Sequence, residues 1–396
     1  MARFGLAALA VATAACASQP RSLPSSRPIP VPAPADVDVA VFLVGDAGAS
    51  APGASPVLAH VRAGVERWAA ALERDSAVAV LFLGDNIYPT GMRGRTRPEF
   101  PADSAHLQAQ IDVVAGPAAL NRGARGVFLA GNHDWGDVVS DVGILHLANQ
   151  HAHLEGVRQR TGVDVTLVPS PGDPGPVVID LGARTRLLLL DTVWWLLSRE
   201  EGRLDGVFAD IEAALRTDGE REVVLAGHHP LRSGGPHGGL TQFWNSLGVI
   251  YLLRRTGSLL QDLNSGPYRV MADDLRAAFG RADPPLVFAG GHEHSLQVFE
   301  AVEENDPAFS LVSGSASKLE DVGWADGMRF RAAEPGYMEL LFLKDGSVDL
   351  FVHSAPRGHQ HCPATEGPAL DTCMSAGADA FRTLYSARLR GPAAAP

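Results

Sequence analysis

The chain has 396 residues, 46% of them hydrophobic, and a formal net charge of −12 at pH 7. That is enough apolar material for one large core or two smaller ones. No apolar run approaches the roughly 20 residues that cross a bilayer, so the mature chain is not expected to span one, and the acidic balance argues against nucleic acid as the main partner.

Residues 1–16 have the pattern of an export signal: Arg3, an apolar run from Phe4 to Ala12, then Thr13-Ala14-Ala15 before Cys16. A cysteine directly after small residues at that depth resembles a bacterial lipobox, with Thr13 where leucine is more usual. Lipidation of Cys16 is the favoured reading, and ordinary cleavage near Ala15 to Ala17 is the alternative. Either places the mature protein outside the cytoplasm of a bacterium, in the periplasm or on the outer membrane, with an N-terminal lipid as the only membrane attachment expected. Residues 17–36 hold Pro20, Pro24, Pro28, Pro30, Pro32 and Pro34, a composition that stays extended as a linker.

A domain over 37–353 follows. Val37 to Val44 and Val78 to Leu83 read as strands, with a helix between them that Ser55 caps and Pro56 begins. Its apolar residues Leu58, Val61, Val65, Trp68 and Leu72 recur at helical spacing. Leu107, Ile111 and Val114 mark a second helix before a strand at Gly126 to Ala130. Val177 to Leu181 and Arg186 to Leu190 read as a strand pair, and Phe208, Ile211 and Leu215 as a helix. Val223 to Ala226 and Leu286 to Ala289 are buried-type strands. Phe309 to Ser313, Tyr337 to Leu343 and Val348 to Val352 follow with no long helix between them. Strands alternating with helices, then a mostly-strand tail, predict an α/β fold of two sheets packed face to face with helices outside. Residues 240–280 carry apolar side chains without a motif and read as a helical insertion.

In the C-terminal extension, residues 354–396, Cys362 and Cys373 are placed to close one small loop in an oxidising compartment. Two free thiols, or a metal site with His359 and His361, are the alternatives, and the disulfide is favoured because nothing else there completes a metal site.

Five short motifs stand at strand ends: Gly45-Asp46-Ala47-Gly48, Gly84-Asp85-Asn86-Ile87-Tyr88, Gly131-Asn132-His133-Asp134, Gly227-His228-His229-Pro230 and Gly291-His292-Glu293-His294. Each starts with glycine where the chain must turn, and then supplies oxygen or nitrogen donors, which suit Zn, Mn, Fe or Ni. Any one of them alone is more readily a turn with a helix cap. Five in this order are not.

The set resembles the calcineurin-like metallophosphoesterases. Tyr88 makes the second motif similar to that of the purple acid phosphatases, and Gly84 to Thr90, Ala226-Gly227-His228 with His237-Gly238, and Asp191-Thr192 are similar to the small tartrate-resistant branch. The resemblance spans about residues 38 to 352 and implies the metallophosphatase four-layer sandwich, two mixed β-sheets flanked by helices. It implies that Asp46, Tyr88 and His294 hold Fe(III), that Asn132, His228 and His292 hold a divalent ion (Fe, Zn or Mn), and that Asp85 bridges both. His133 and His237 would contact the phosphate or protonate the leaving alkoxide. Hydroxide held on the iron would attack phosphorus in line, which implies an acid phosphatase acting on a small-molecule or protein phosphoester.

Two other readings compete: a phosphodiesterase or nucleotidase of the same superfamily on Mn or Zn, and a tethered, non-catalytic phosphate binder. Outside the ligand set, His229 reads equally as a pocket residue or an ordinary histidine. His146, His151 and His153 read as surface residues of a helix, and Arg93, Arg95 and Arg97 as a solvated loop. The interval between His228 and His292 is longer than that branch needs, so the 240–280 insertion is expected on the pocket rim, shaping substrate choice.

Overall fold

The computed structural model describes residues 21–22, 28–136, 142–197, 201–217, 219, 221–237, 263, 265–364 and 366–393. The export signal, residues 17–20 and 23–27 of the linker, and residues 240–262 and 264 of the expected insertion lie outside the described residues. No described helix is long and apolar enough to cross a membrane.

The strands are β1 (Arg21–Ser22), β2 (Val37–Val44), β3 (Val78–Phe82), β4 (Arg125–Phe128), β5 (Asp164–Leu167), β6 (Val177–Leu181), β7 (Thr185–Leu189), β8 (Glu222–Ala226), β9 (Val287–Gly290), β10 (Leu296–Glu300), β11 (Phe309–Ser313), β12 (Met328–Ala332), β13 (Gly336–Leu343), β14 (Val348–Ser354) and β15 (Arg382–Arg390). They form one sheet in the order β1-β12-β10-β11-β9-β8-β7-β6 and a second in the order β15-β14-β13-β2-β3-β4-β5. Both are mixed. In the first, β7, β8 and β9 run parallel, and β9 runs parallel to β11. In the second, β2, β3, β4 and β5 do.

The alternation of side chains along a strand sorts the core into layers. Val39, Val41 and Leu43 of β2 point between the sheets, where they meet Ala79 and Leu81 and, from the facing sheet, Leu187, Val224, Val298 and Leu311. Ala40, Phe42 and Val44 point the other way, onto Val57, Val61, Val65 and Trp68 of the helix Pro56–Ala71. On the far side, Leu188, Leu225 and Phe288 meet Met271, Leu275 and Phe279 of the helix Gly266–Arg281. Both faces of each sheet are therefore covered, which is why the central strands are apolar throughout. The result is an α/β four-layer sandwich, as expected.

The helix Pro56–Ala71 begins as its sequence predicts, with the Ser55 hydroxyl accepting the Leu58 N–H at 3.3 Å. Cys362 and Cys373 form a disulfide. The C-terminal residues, expected as an extension beyond the sheets, instead contribute β15, which pairs with β14 along its length. Its charged, half-exposed pattern suits an edge strand and gives little apolar signal. The end of the expected insertion is likewise part of the core. The helix Gly266–Arg281 is capped by Ser265 and tied down by the Tyr268 hydroxyl, which donates to the Pro230 carbonyl. Leu263 N–H donates to the His237 carbonyl at 2.9 Å, so the chain leaves and rejoins the described fold beside His237.

Asp306 holds the loop after β10 to this region. It accepts the Val302 and Glu303 N–H groups at 3.1 and 2.9 Å, Arg276 Nε at 2.8 Å and Arg232 at 2.7 Å. Burial alone would raise its carboxyl; the hydrogen bonds outweigh burial and bring it down to about 2. The unfolded chain titrates near the ordinary value of about 3.9. The stabilisation is therefore complete above that pH and is lost as pH falls through the folded value. Asp306→Asn is expected to melt below wild type at neutral pH, with the gap narrowing as pH falls from about 4 to about 2. An unchanging gap in a melting series would refute this.

Candidate metal centre

Five loops leave the carboxyl ends of parallel strands and converge at one end of the sandwich. β2, β3 and β4 lead to Asp46, to Asp85 with Tyr88, and to Asn132 with His133; from the other sheet, β8 and β9 lead to His228 and to His292 with His294. A backbone hydrogen bond joins the two sheets at this edge, Gly45 N–H donating to Ser313 O at 2.7 Å, and Asp46 N–H donates to Gly84 O at 3.1 Å between the neighbouring loops of one sheet.

The turns are tight. Asp46, Asp85 and His292 have φ of 59°, 54° and 67°, three of the five described non-glycine residues in the left-handed region. Such conformations cost on the order of 1–3 kcal/mol each and persist where surrounding structure over-determines them. Two of the motif glycines allow the close approach this needs. A Cβ on Gly131 would lie 2.3 Å from Asp85 Oδ1, and one on Gly291 would lie 2.6 Å from Asp46 Oδ2.

All seven expected ligands meet there, in two adjoining groups. In the first, the Tyr88 hydroxyl lies 3.1 Å from Asp46 Oδ1, 2.9 Å from Asp85 Oδ2 and 3.3 Å from His294 Nε2. In the second, Asn132 Oδ1 lies 2.9 Å from His228 Nε2 and 3.1 Å from His292 Nδ1, and Asp85 Oδ1 is 3.5 Å from His228 Nε2. Asp85 thus turns one oxygen to each group. Asp46, Asp85, Tyr88, His228 and His292 are buried.

The donor set fits cations. His228 Nδ1 is 2.8 Å from the Leu83 carbonyl, which only accepts, so in the neutral ring the proton sits there and Nε2 presents a lone pair. That lone pair faces Asn132 Oδ1, a second acceptor. Two acceptors so close repel each other, and a cation between them removes the conflict. Burial, then the surrounding histidines, hold His292 well below the usual imidazole range, keeping it neutral. Burial, with Asp46 and Asp85 beside it, pushes the Tyr88 phenol well above its ordinary value. Without a cation it stays protonated. Burial also raises Asp85, but His228, His133 and the bonds to His133 N–H and Tyr88 outweigh it and leave the carboxyl lowered.

His133 and His237 flank the groups. His133 Nδ1 is 2.6 Å from Pro89 O, which fixes its proton there and turns Nε2 toward Asp85 Oδ2, 4.0 Å away. His237 donates its backbone N–H to Glu293 Oε1 at 3.1 Å, its Nδ1 lies 3.5 Å from Glu293 Oε2, and its ring packs 4.5 Å from that of His292.

His229 is buried behind the ligands, against His228, His292 and Tyr268, with Nδ1 3.0 Å from Thr192 Oγ1. His146, His151 and His153 lie half-buried on the helix Val142–Thr161 and join no metal-like group among the described residues. Arg93 is committed to Asp103, whose carboxylate its guanidinium and backbone N–H both bind.

The sequence reading passed over Asp134, Glu293, Glu320 and Lys318. Asp134 stands in the third motif, and its carboxylate ties two of the loops together. Glu293 stands between two expected ligands and is fully buried. Glu320 lies 3.4 Å from His294 Nδ1, which faces away from Tyr88. Position within a motif could have flagged the first two; nothing local marks Glu320.

No protein-family model matches the chain, and no curated protein matches it by sequence. Among solved structures it is similar to the GAP50 anchor in the inner membrane complex of Plasmodium, with 14% identity and a TM-score of 0.48 over 80% of this chain and 85% of that one. It is also similar to purple acid phosphatase PPD1 from yellow lupin seeds, with 15% identity and a TM-score of 0.49 over 80% of this chain but only 51% of the lupin chain. A dimetal phosphatase from Danio rerio has 12% identity and a TM-score of 0.44, over 81% of this chain and 97% of that one.

Proposed function

We propose that this chain hydrolyses phosphate monoesters with an Fe(III)–M(II) pair. One observation carries the reading: a buried tyrosine hydroxyl sits among two carboxylates and an imidazole, and one of those carboxylates turns its other oxygen to a group of two imidazoles and an amide. Asp46, Tyr88 and His294 would hold the ferric ion, Asn132, His228 and His292 the divalent ion (Fe, Zn or Mn), and Asp85 both. When bound, such a pair supplies Lewis acidity toward a phosphoryl group and acidifies water, the trivalent ion more so.

The protein's own groups set the rest. Against five positive charges, Asp46, Asp85 and an ionised Tyr88 bring three negative ones, which leaves the site attractive to a monoester dianion in an otherwise acidic chain. His133, with Nδ1–H anchored on Pro89 O, turns Nε2 to the site as the position for a second proton. In its protonated form it gives that proton to the departing alkoxide. Glu293 holds His237 at the edge of the second group, where it meets the substrate.

A visible spectrum with metal analysis tests this. The purified protein is expected to be coloured and to carry iron plus a second metal, and Tyr88→Phe to lose the colour. A colourless, fully active enzyme would favour a divalent Mn or Zn pair, as in a phosphodiesterase or nucleotidase. One feature favours that second reading: Tyr88 already satisfies its hydroxyl by donating to Asp85 at 2.9 Å as a neutral phenol.

A further inference from the structure

Lys318 follows β11 in a chain whose 33 lysines and arginines include only one other lysine, Lys344. Its ammonium lies over the face of the Tyr88 ring, 3.3 Å from the centroid. Against the same ring packs His133, centroids 4.5 Å apart. Lys318 therefore sits beside the first ligand group, yet among the described residues it bonds to neither Asp46 nor Asp85. Those carboxylates are engaged by Tyr88 and by the backbone N–H groups of His292 and His133.

We propose that Lys318 is a substrate-binding residue whose ammonium takes an anionic oxygen of the phosphoryl group bound at this site. The proposal rests on the phosphoester reading above. Its physical basis is charge: a cation held against a net-positive metal pair is repelled, and the arrangement becomes favourable when a dianion arrives between them. Stacking on an aromatic face holds the ammonium in place while leaving the N–H donors that point away from the ring for that anion. The compact ammonium also differs from guanidinium, which is flat and forks to two oxygens. The charge-use pattern of the chain makes lysine at this position unusual, and an aromatic platform gives it a fixed position.

The test is calorimetric titration of inorganic phosphate into metal-replete wild type, Lys318→Met and Lys318→Arg, with melting temperature and metal content measured for each. Methionine keeps the stem that packs on Tyr88 and removes the charge. Loss of a charge-assisted hydrogen bond is expected to raise the phosphate dissociation constant about 10-fold or more, with melting and metal content unchanged, and arginine is expected to restore part of it. Binding by Lys318→Met within about twofold of wild type would overturn the proposal, because charge near a metal pair without contact has only a small, salt-screened effect. So would loss of a metal ion from Lys318→Met, which would make the lysine a support for Tyr88. Failure of the metal-replete wild type itself to bind phosphate would overturn the phosphoester reading and this proposal together, an outcome distinct from failure in the variant alone.

Discussion

Asp85→Asn is expected to lower kcat/KM for a generic aryl phosphate on the order of 10³-fold or more and to leave the protein with fewer than two metal ions. Losing a group that merely supports a ligand typically costs about 10–100-fold; losing the anion shared by two cations removes more. Two ions about 3.5–4 Å apart repel strongly unless a negative ligand lies between them. Asp85 alone has an oxygen in each group, 2.9 Å from the Tyr88 hydroxyl on one side and 3.5 Å from His228 Nε2 on the other. Asparagine keeps the shape, removes the charge and turns N–H donors toward one cation. Activity and metal content measured on the same preparation check this. Near-normal turnover with two bound ions would show that Asp85 is not the bridge. A metal-replete wild type without turnover would restore the reading of a phosphate-binding protein.

The second large effect is on stability. Asp134→Ala is expected to destabilise the protein by about 3–5 kcal/mol and to lower its melting temperature by roughly 5 °C. The Asp134 carboxylate is fully buried. It accepts the N–H groups of Gly131 at 2.9 Å, Asn86 at 3.0 Å and Ile87 at 3.1 Å, and Asn86 Nδ2 at 2.9 Å. Alanine would leave these donors buried without an acceptor, each at a cost of about 1–3 kcal/mol before relaxation. The same contacts hold the loop that carries Asp85 and Tyr88 to the loop that carries Asn132 and His133. Metal content should therefore fall as well, whereas Asp134→Asn, with one carbonyl oxygen left, should lose less of both. A melting temperature within a degree or two of wild type would mean that water or a backbone shift satisfies the donors.

Local chemistry explains what was legible in advance. A run of apolar residues followed by glycine and a polar side chain is a signal contained within a few residues, so all five converging loops and the seven side chains that meet on them could be named from sequence. The Ser55 cap and the helix behind it are equally local, since a hydroxyl and an N–H three residues on decide them. The pairing of Cys362 with Cys373 was favoured because nothing beside them completes a metal site, and the two do form a disulfide. Fold class followed from the order of such segments.

The misses have a different character. β15 carries charges along an exposed edge, so its strand character lies in its pairing with β14 rather than in its own pattern. The helix Gly266–Arg281 read as an insertion because its partners, β8, β9 and Pro230, are known only once the sheet is formed. The largest separations decide the site. Lys318 meets Tyr88 230 positions away because β11 lies in one sheet, β3 in the other, and the two sheets close at this edge. Sequence determined which donors this protein carries and where its chain turns, because turn chemistry and side-chain alternation act within a few residues. Tertiary structure alone decided that Asp85 faces both groups, that Asp134 clamps their loops and that an ammonium rests on the tyrosine, because each depends on which distant strands become neighbours.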